Sequence, residues 1–163
     1  MNGIVIRELS SSEKPILKEM VYEAIYLPDD AKRLPKEVVK IPEITAYIKN
    51  FGKKKDDYCL VAELNDKIIG AIWVRVIGGK TKGYGYVDNQ TPEFAMALFK
   101  DYRGQGFGTL MLQHMIEYLK SAGYKQASLS VDKENFAVKI YKKFGFEIIN
   151  ENENDYLMII KLQ

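Results

Sequence analysis

The stretch Tyr102-Arg103-Gly104-Gln105-Gly106-Phe107-Gly108-Thr109 constrains this chain more than any other. An apolar run, Phe94 to Phe99, precedes it, and an amphipathic run reaching Ala122 follows it. The local reading is strand, glycine loop, helix. Phe107, Met111, Met115 and Leu119 recur at helical spacing, with Leu112 and Ile116 on their flank. Thr109, Gln113, Glu117 and Lys120 share the other side, and Gly123 stands where a glycine closes a helix. Glycines at 104, 106 and 108 leave the helix N-terminus with little side-chain cover. Its unpaired N–H groups can then close directly on an anion, with the helix dipole helping. Arg103 adds a fixed positive charge just before them. The arrangement suits a pyrophosphate.

Which pyrophosphate is a matter of the flanking residues. A P-loop is excluded, because no Gly-Lys-Ser/Thr follows. A dinucleotide fold has one feature in its favour. Asp132 ends the apolar run Ala127 to Val131, at the distance where a ribose-binding acid would sit. Against it, the third glycine of G-x-G-x-x-G is missing, and no further strand–helix series follows to build a doubly wound sheet.

A third reading fits better. Arg103-Gly-Gln-Gly106-Phe-Gly108 matches Arg/Gln-x-x-Gly-x-Gly/Ala, and Asp101-Tyr102 precede it. Downstream, Asn135-Phe-Ala137-Val-Lys-Ile-Tyr141-Lys-Lys-Phe-Gly145-Phe146 follows Asn-x-x-Ala-x-x-x-Tyr-x-x-x-Gly-Phe. Two such motifs in this order resemble those of the GNAT superfamily, the Gcn5-related N-acetyltransferases. The resemblance covers residues 58 to 162 well and the N-terminal third loosely.

At 163 residues the chain reads as one domain, 1–163, long enough for a single core. Its net charge is +2 with acids and bases well mixed, which gives no footing for a nucleic-acid or membrane partner. The run Lys53-Lys54-Lys55 is answered at once by Asp56-Asp57 and reads as a solvated loop. The one cysteine, Cys59, lies in an apolar run and reads as a small buried hydrophobe; the one histidine, His114, has no evident partner. No signal peptide or membrane span is evident, so cytoplasm is the expectation.

In chain order, Gly3 to Arg7 reads as a strand. A helix follows, capped at Ser10, Ser11 or Ser12 and reaching about Leu27. Residues 31 to 41 read as irregular. A short helix opens at Pro42 with inner face Ile44, Tyr47, Ile48 and Phe51, and stops at Gly52. Tyr58 to Leu64 and Ile68 to Val76 form a hairpin about Asn65-Asp66-Lys67. The glycine-rich, aromatic segment from Lys80 to Thr91 is either a mobile crossover or a substrate wall. Glu93 to Phe99 is the next strand. After the glycine-loop helix, residues 126 to 131 form a strand parallel to it, because a helix joins them. A helix from Asn135 to Phe144 and strands at Phe146–Ile149 and Tyr156–Leu162 complete the chain. This order is that of the GNAT fold, an α/β mixed and mostly antiparallel sheet with a central parallel strand pair splayed to bind acetyl-CoA.

Acetyl transfer from a thioester to an amine needs a neutral amine, a stabilised carbonyl oxygen and a protonatable thiolate. What the resemblance implies is acetyl-CoA as cosubstrate, no metal, and an amine acceptor, small molecule or peptide. It implies pantetheine-binding amides on Ala97, Leu98 and Phe99, with the Leu98 N–H polarising the thioester. It also implies pyrophosphate binding across Arg103, Gly104, Gln105, Gly106, Phe107, Gly108 and Thr109. Tyr141 is the implied proton donor to sulfur, Asn135 a cap that also meets pantetheine, and Glu93 the base. On residue type alone, Tyr141 is a core helix residue and Glu93 a strand-end acid facing solvent. Homodimerisation is common in the family. The alternative function is an acyl-CoA-binding module without turnover. The segments that would shape the acceptor pocket supply Tyr22, Tyr26, Asp29, Asp30, Tyr47, Tyr84, Tyr86 and Asp88, which point to a cationic, partly apolar amine.

Overall fold

The computed structural model describes residues 3–163. The elements are β1 (Ile4–Glu8), α1 (Ile16–Ala24), α2 (Pro42–Thr45), β2 (Tyr58–Leu64), β3 (Lys67–Arg75), β4 (Glu93–Leu98), α3 (Phe107–Ser121), β5 (Gln126–Asp132), α4 (Ala137–Lys143), β6 (Glu147–Glu151) and β7 (Asp155–Lys161). The seven strands form one sheet in the order β1-β2-β3-β4-β5-β7-β6. Every adjacent pair is antiparallel except β4 and β5, which are parallel. The expected α/β fold with a central parallel pair is therefore present. The doubly wound sheet that a dinucleotide site requires is not.

Strand alternation divides the sheet between two cores. Leu60, Ile72, Val74 and Phe94 face α3 and α4 and meet Met111, Leu112, Met115 and Leu119, all four of them fully buried. Cys59, Val61, Ala71 and Trp73 face the other way, onto Leu17, Met20 and Val21 of α1. The helical stripe read from Phe107 to Leu119 is thus the inner face of α3. Cys59 is buried, its thiol pushed up by desolvation, and His114 is exposed on the outer side of α3.

Three segments differ from the sequence reading. α1 stops at Ala24, with Ile25 extended, so Ile25 and Tyr26 leave the helix and reach the central cleft. α2 is a single turn, and residues beyond it run on in tight turns to Gly52, whose φ is +99°. The reason lies in Arg75. Its guanidinium donates to the carbonyls of Ala46 and Lys49, both at 2.9 Å, and so occupies acceptors that a longer helix would have used. The third difference is at Asp57. Lys53 to Lys55 are exposed as expected, but the Asp57 side chain is fully buried against the buried Arg75 guanidinium. Arg75 Nε and Nη2 donate to Asp57 at 3.0 and 2.8 Å, and the amides of Gly52 and Lys54 donate to the same carboxylate.

Candidate active site

The parallel pair supplies the site. β4 and β5 share one register pair, Glu93↔Ser128, with the Ser128 amide donating to Pro92 O at 3.0 Å. Beyond it the strands part, and a cleft of about 330 Å³ opens between them. Phe94, Ala95 and Met96 line one side, and Leu129, Ser130 and Asp132 the other. Tyr26, Tyr47 and Tyr84 contribute an aromatic wall, and Asn135, Tyr141 and Asp155 close the far end.

The direction of each β4 amide follows from its pairing with β3. The Phe99 amide donates to Ile69 O at 3.0 Å, and the antiparallel alternation turns Ala97, opposite Ala71, the same way. The amides of Ala97 and Phe99 are therefore spent on β3, which corrects their expected role as pantetheine donors. The alternate residues, Leu98 and Met96, turn their amides toward the gap. Met96 escaped the sequence reading, although counting back by two from Leu98 reaches it.

The glycine loop keeps the helix end bare. Gly104 and Gly106 adopt φ of +74° and +89°, the left-handed region that glycine enters without a Cβ penalty. Gly106 is the N-cap of α3, with no side chain capping the helix and no acid in its first turn. A Cβ at Gly104 would meet nothing within 4 Å, so the loop is open above the helix. Phe107 places its ring in the core, Gly108 lies beneath Met96 and Leu98, and Thr109 is half-buried. Gln105 donates its side-chain amide to Asp101 O at 3.0 Å. Arg103 is not the free charge expected. It donates to Leu98 O at 2.9 Å and pairs with Glu23 of α1 at 3.0 Å, while Glu23 also takes Arg33 at 2.6 Å.

Tyr141 lies on α4, 8% exposed, its ring 5.4 Å from that of Phe146. Its hydroxyl makes no hydrogen bond among the described residues, and desolvation pushes it up to about 12. Asn135 Oδ1 accepts from the amide of Ala137, the first residue of α4, at 2.9 Å, in the turn just before the Phe136 N-cap.

Glu93 is not a solvent-facing acid: it is 2% exposed. Its Oε2 accepts from the Tyr47 hydroxyl at 2.6 Å and the Gly85 amide at 3.0 Å, while its Oε1 is buried with no partner. Burial pushes the carboxyl up to about 7, against the two hydrogen bonds that favour its charged form. The segment from Lys80 to Thr91 is a wall rather than a free crossover. Cβ atoms at Gly83 and Gly85 would stand 1.8 and 2.8 Å from the Glu93 carboxylate, so only glycines let this backbone close over it.

The acids at the cleft are not those the sequence nominated. Tyr22 donates to Leu34 O inside the α1 core, and Asp29 and Asp30 are exposed away from the lining. Tyr86 bonds Asn89, and Asp88 holds its own turn by accepting from Gln90 and Thr91. The carboxylates present are Asp132 and Asp155, directly opposed in the β5–β7 register. Like charges placed so cost stability; among the described residues no Lys, Arg or His lines the cleft, and Lys133, the cation that Asp155 feels, pairs with Glu151 at 2.6 Å. Among the described residues no group of three His, Cys, Asp or Glu side chains is placed to hold a metal, and no helix is long and apolar enough to cross a membrane.

Known proteins are similar to this chain in sequence and fold. The chain is 32% identical over 103 residues to the probable N-acetyltransferase san of Drosophila melanogaster, covering 61% of this chain and 52% of that protein. It is 27% identical over 127 residues to N-alpha-acetyltransferase 30 of Schizosaccharomyces pombe, covering 77% and 80%. The match thus spans about half the length of some of these relatives. The structure of PaiA N-acetyltransferase from Thermoplasma acidophilum in complex with coenzyme A superposes with a TM-score of 0.65 at 22% identity, covering 97% of this chain and 98% of that one. Residues 21–146 match the acetyltransferase (GNAT) family, and the chain belongs to it.

Proposed function

We propose that this protein transfers the acetyl group of acetyl-CoA to a primary amine by direct attack in a ternary complex. The observation that carries the proposal is the cleft between β4 and β5, lined by Met96, whose amide turns toward the gap, and by Tyr141, with Gly108 of the bare α3 N-terminus beneath Met96 and Leu98. Acetyl-CoA supplies an activated acyl carbon on a good leaving group. The Leu98 N–H, with Met96 beside it, polarises the thioester oxygen as charge builds there. The amides of the Gly104–Gly108 loop take the pyrophosphate. Asn135 keeps its side-chain N–H₂ for the pantetheine while its Oδ1 accepts from the Ala137 amide.

Tyr141 faces the leaving sulfur. A thiol near 8.5 is a stronger acid than a phenol near 12. Full proton transfer to the thiolate is therefore uphill by about 5 kcal/mol. Tyr141 serves as a hydrogen-bond donor to the departing thiolate, which takes its proton from solvent. Glu93, poised near neutrality, receives the proton the amine must lose.

Asp132 and Asp155 favour an acceptor carrying positive charge, and the tyrosine wall suits a cation or an apolar stem. Similarity to N-alpha-acetyltransferase 30 is a reason to test a peptide α-amine as well. Thiol release from acetyl-CoA, measured over alkyl diamines, aryl-alkyl amines, peptides with free N-termini and acidic amino acids, tests the reading. Release is expected with cationic acceptors. Preference for acidic ones overturns the charge argument. Acetyl-CoA binding with no release across the panel favours a binding module instead.

Gly106→Asp is expected to weaken acetyl-CoA binding about 10²-fold while the fold survives. It sets a carboxylate against the N–H groups that should meet phosphate, and one charge-assisted hydrogen bond is worth ~1.5–3 kcal/mol. Calorimetry giving wild-type affinity, with an unchanged circular dichroism spectrum, overturns the pyrophosphate assignment.

A further inference from the structure

Glu93 presents a difficulty for any mechanism in which it touches the amine. It is 2% exposed and is not among the residues lining the cleft. Tyr47, Tyr84 and Phe94 are: Tyr47 is bonded to the carboxylate, and Phe94 follows Glu93 in β4. Behind, the backbone of Gly83 and Gly85 seals it, held in turn by the Ser128 hydroxyl donating to Gly85 O. Among the described residues, the one polar side chain that both lines the cleft and hydrogen-bonds Glu93 is Tyr47. Its hydroxyl donates to Glu93 Oε2 at 2.6 Å and accepts from the Tyr84 amide at 2.9 Å. A phenolic oxygen has two lone pairs, so one remains for a further donor. The residue is fixed from both ends. Trp73 Nε1 donates to Tyr47 O at 3.0 Å, and the Tyr84 ring lies stacked 6.4 Å away.

We infer that Tyr47 is the group the acceptor amine meets, and that it relays the amine's proton to Glu93. The inference rests on the acetyl-transfer reading. An acceptor arrives as an ammonium. One N–H proton passes to Tyr47 Oη as the Tyr47 O–H proton passes to Glu93 Oε2. The products are a neutral amine, an intact phenol and a neutral carboxyl. The amine lone pair then forms the N–C bond to the acyl carbon, and the C–S bond breaks as the adduct collapses. The second N–H proton leaves to solvent, solvent protonates the thiolate, and Glu93 returns its proton to solvent for the next cycle.

The carboxyl's surroundings suit this traffic. Burial makes the charged form costly, which draws a proton in, while the Tyr47 and Gly85 donors keep the charged form within reach near neutrality. The charged neighbour across the β3–β4 register is Arg75, and its guanidinium is consumed by Asp57 and two carbonyls rather than by Glu93. On β5 the nearest partner is the neutral Ser128. Nothing else titratable is bonded to Glu93 among the described residues.

The test compares two acceptors in wild type, Tyr47→Phe, Glu93→Gln and the double variant. 1,4-Diaminobutane arrives protonated, whereas O-methylhydroxylamine is already neutral at pH 7. Tyr47→Phe is expected to lower kcat/KM for the diamine about 10²-fold, the usual scale of general base catalysis. The loss with O-methylhydroxylamine should be at least about tenfold smaller, since that probe bypasses the relay. Glu93→Gln should show the same split, and the double variant should be no worse than either single one. Carbon-13 NMR of labelled glutamate in the free protein gives an independent readout. Losing the Tyr47 donor should move the Glu93 titration to higher pH. Equal losses with both acceptors, additive single variants, or an unmoved Glu93 titration overturn the relay and leave Tyr47 as packing. Absence of turnover in wild type with both probes and with the whole amine and peptide panel overturns the acetyl-transfer reading, and the relay with it.

Discussion

Tyr141→Phe is expected to lower kcat about 10²-fold and to leave acetyl-CoA affinity nearly unchanged. The substitution removes only a hydroxyl. The ring keeps its packing against Phe146 and its place in the α3–α4 core, so the cleft retains its shape. The hydroxyl has no other partner among the described residues, so no buried donor or acceptor is orphaned by its loss. Removing one preorganised donor to developing charge typically costs 10²–10³ in rate. Because burial raises the phenol, Tyr141 stays protonated through the whole working range and contributes no limb of its own to the pH profile. Wild type and variant should therefore differ in height and not in shape between pH 6 and pH 9. Single-turnover rates isolate the chemical step from product release. An unchanged single-turnover rate would leave Tyr141 as a packing residue.

Asp57→Ala is expected to remove about 3–5 kcal/mol of stability. Arg75 is 1% exposed, and its guanidinium is neutralised by the Asp57 carboxylate through two hydrogen bonds. Deleting the carboxylate strands a buried cation, which is the costly direction in which to break such a pair. It also takes the acceptor from the amides of Gly52 and Lys54. For a chain of this size the midpoint of thermal unfolding should fall by roughly 10 °C. Urea unfolding measures the free energy directly. A loss under about 1 kcal/mol would mean that solvent reaches Arg75 as soon as the carboxylate is gone. The effect should extend to the site, because the same guanidinium holds the Ala46 and Lys49 carbonyls on either side of Tyr47.

What the sequence determined by itself is local. Glycine at 104 and 106 satisfies positive φ at those residues whatever the rest of the chain does. The period of Phe107, Met111, Met115 and Leu119 specifies the inner face of α3 before any partner is known, because a helix carries its own geometry. Two spaced motifs marked the family, and with it the order of elements along the chain and the parallel pair. Questions of direction and pairing were decided only by the tertiary structure. A run of β residues fixes which amides share an edge but not which edge faces which neighbour. The register of β4 against β3 therefore decided that Leu98 and Met96, and not Ala97 and Phe99, address the gap. Charge behaves likewise. Asp57 looks like any solvated acid until Arg75, eighteen residues on, folds over it, and Glu93 looks exposed until Gly83 and Gly85 close behind it. Asp132 and Asp155 lie twenty-three positions apart and become opposed neighbours only through the β5–β7 pairing. Long-range pairing sets which polar groups lose their water, and desolvation is what makes a carboxylate a keystone, a proton acceptor or a docking charge.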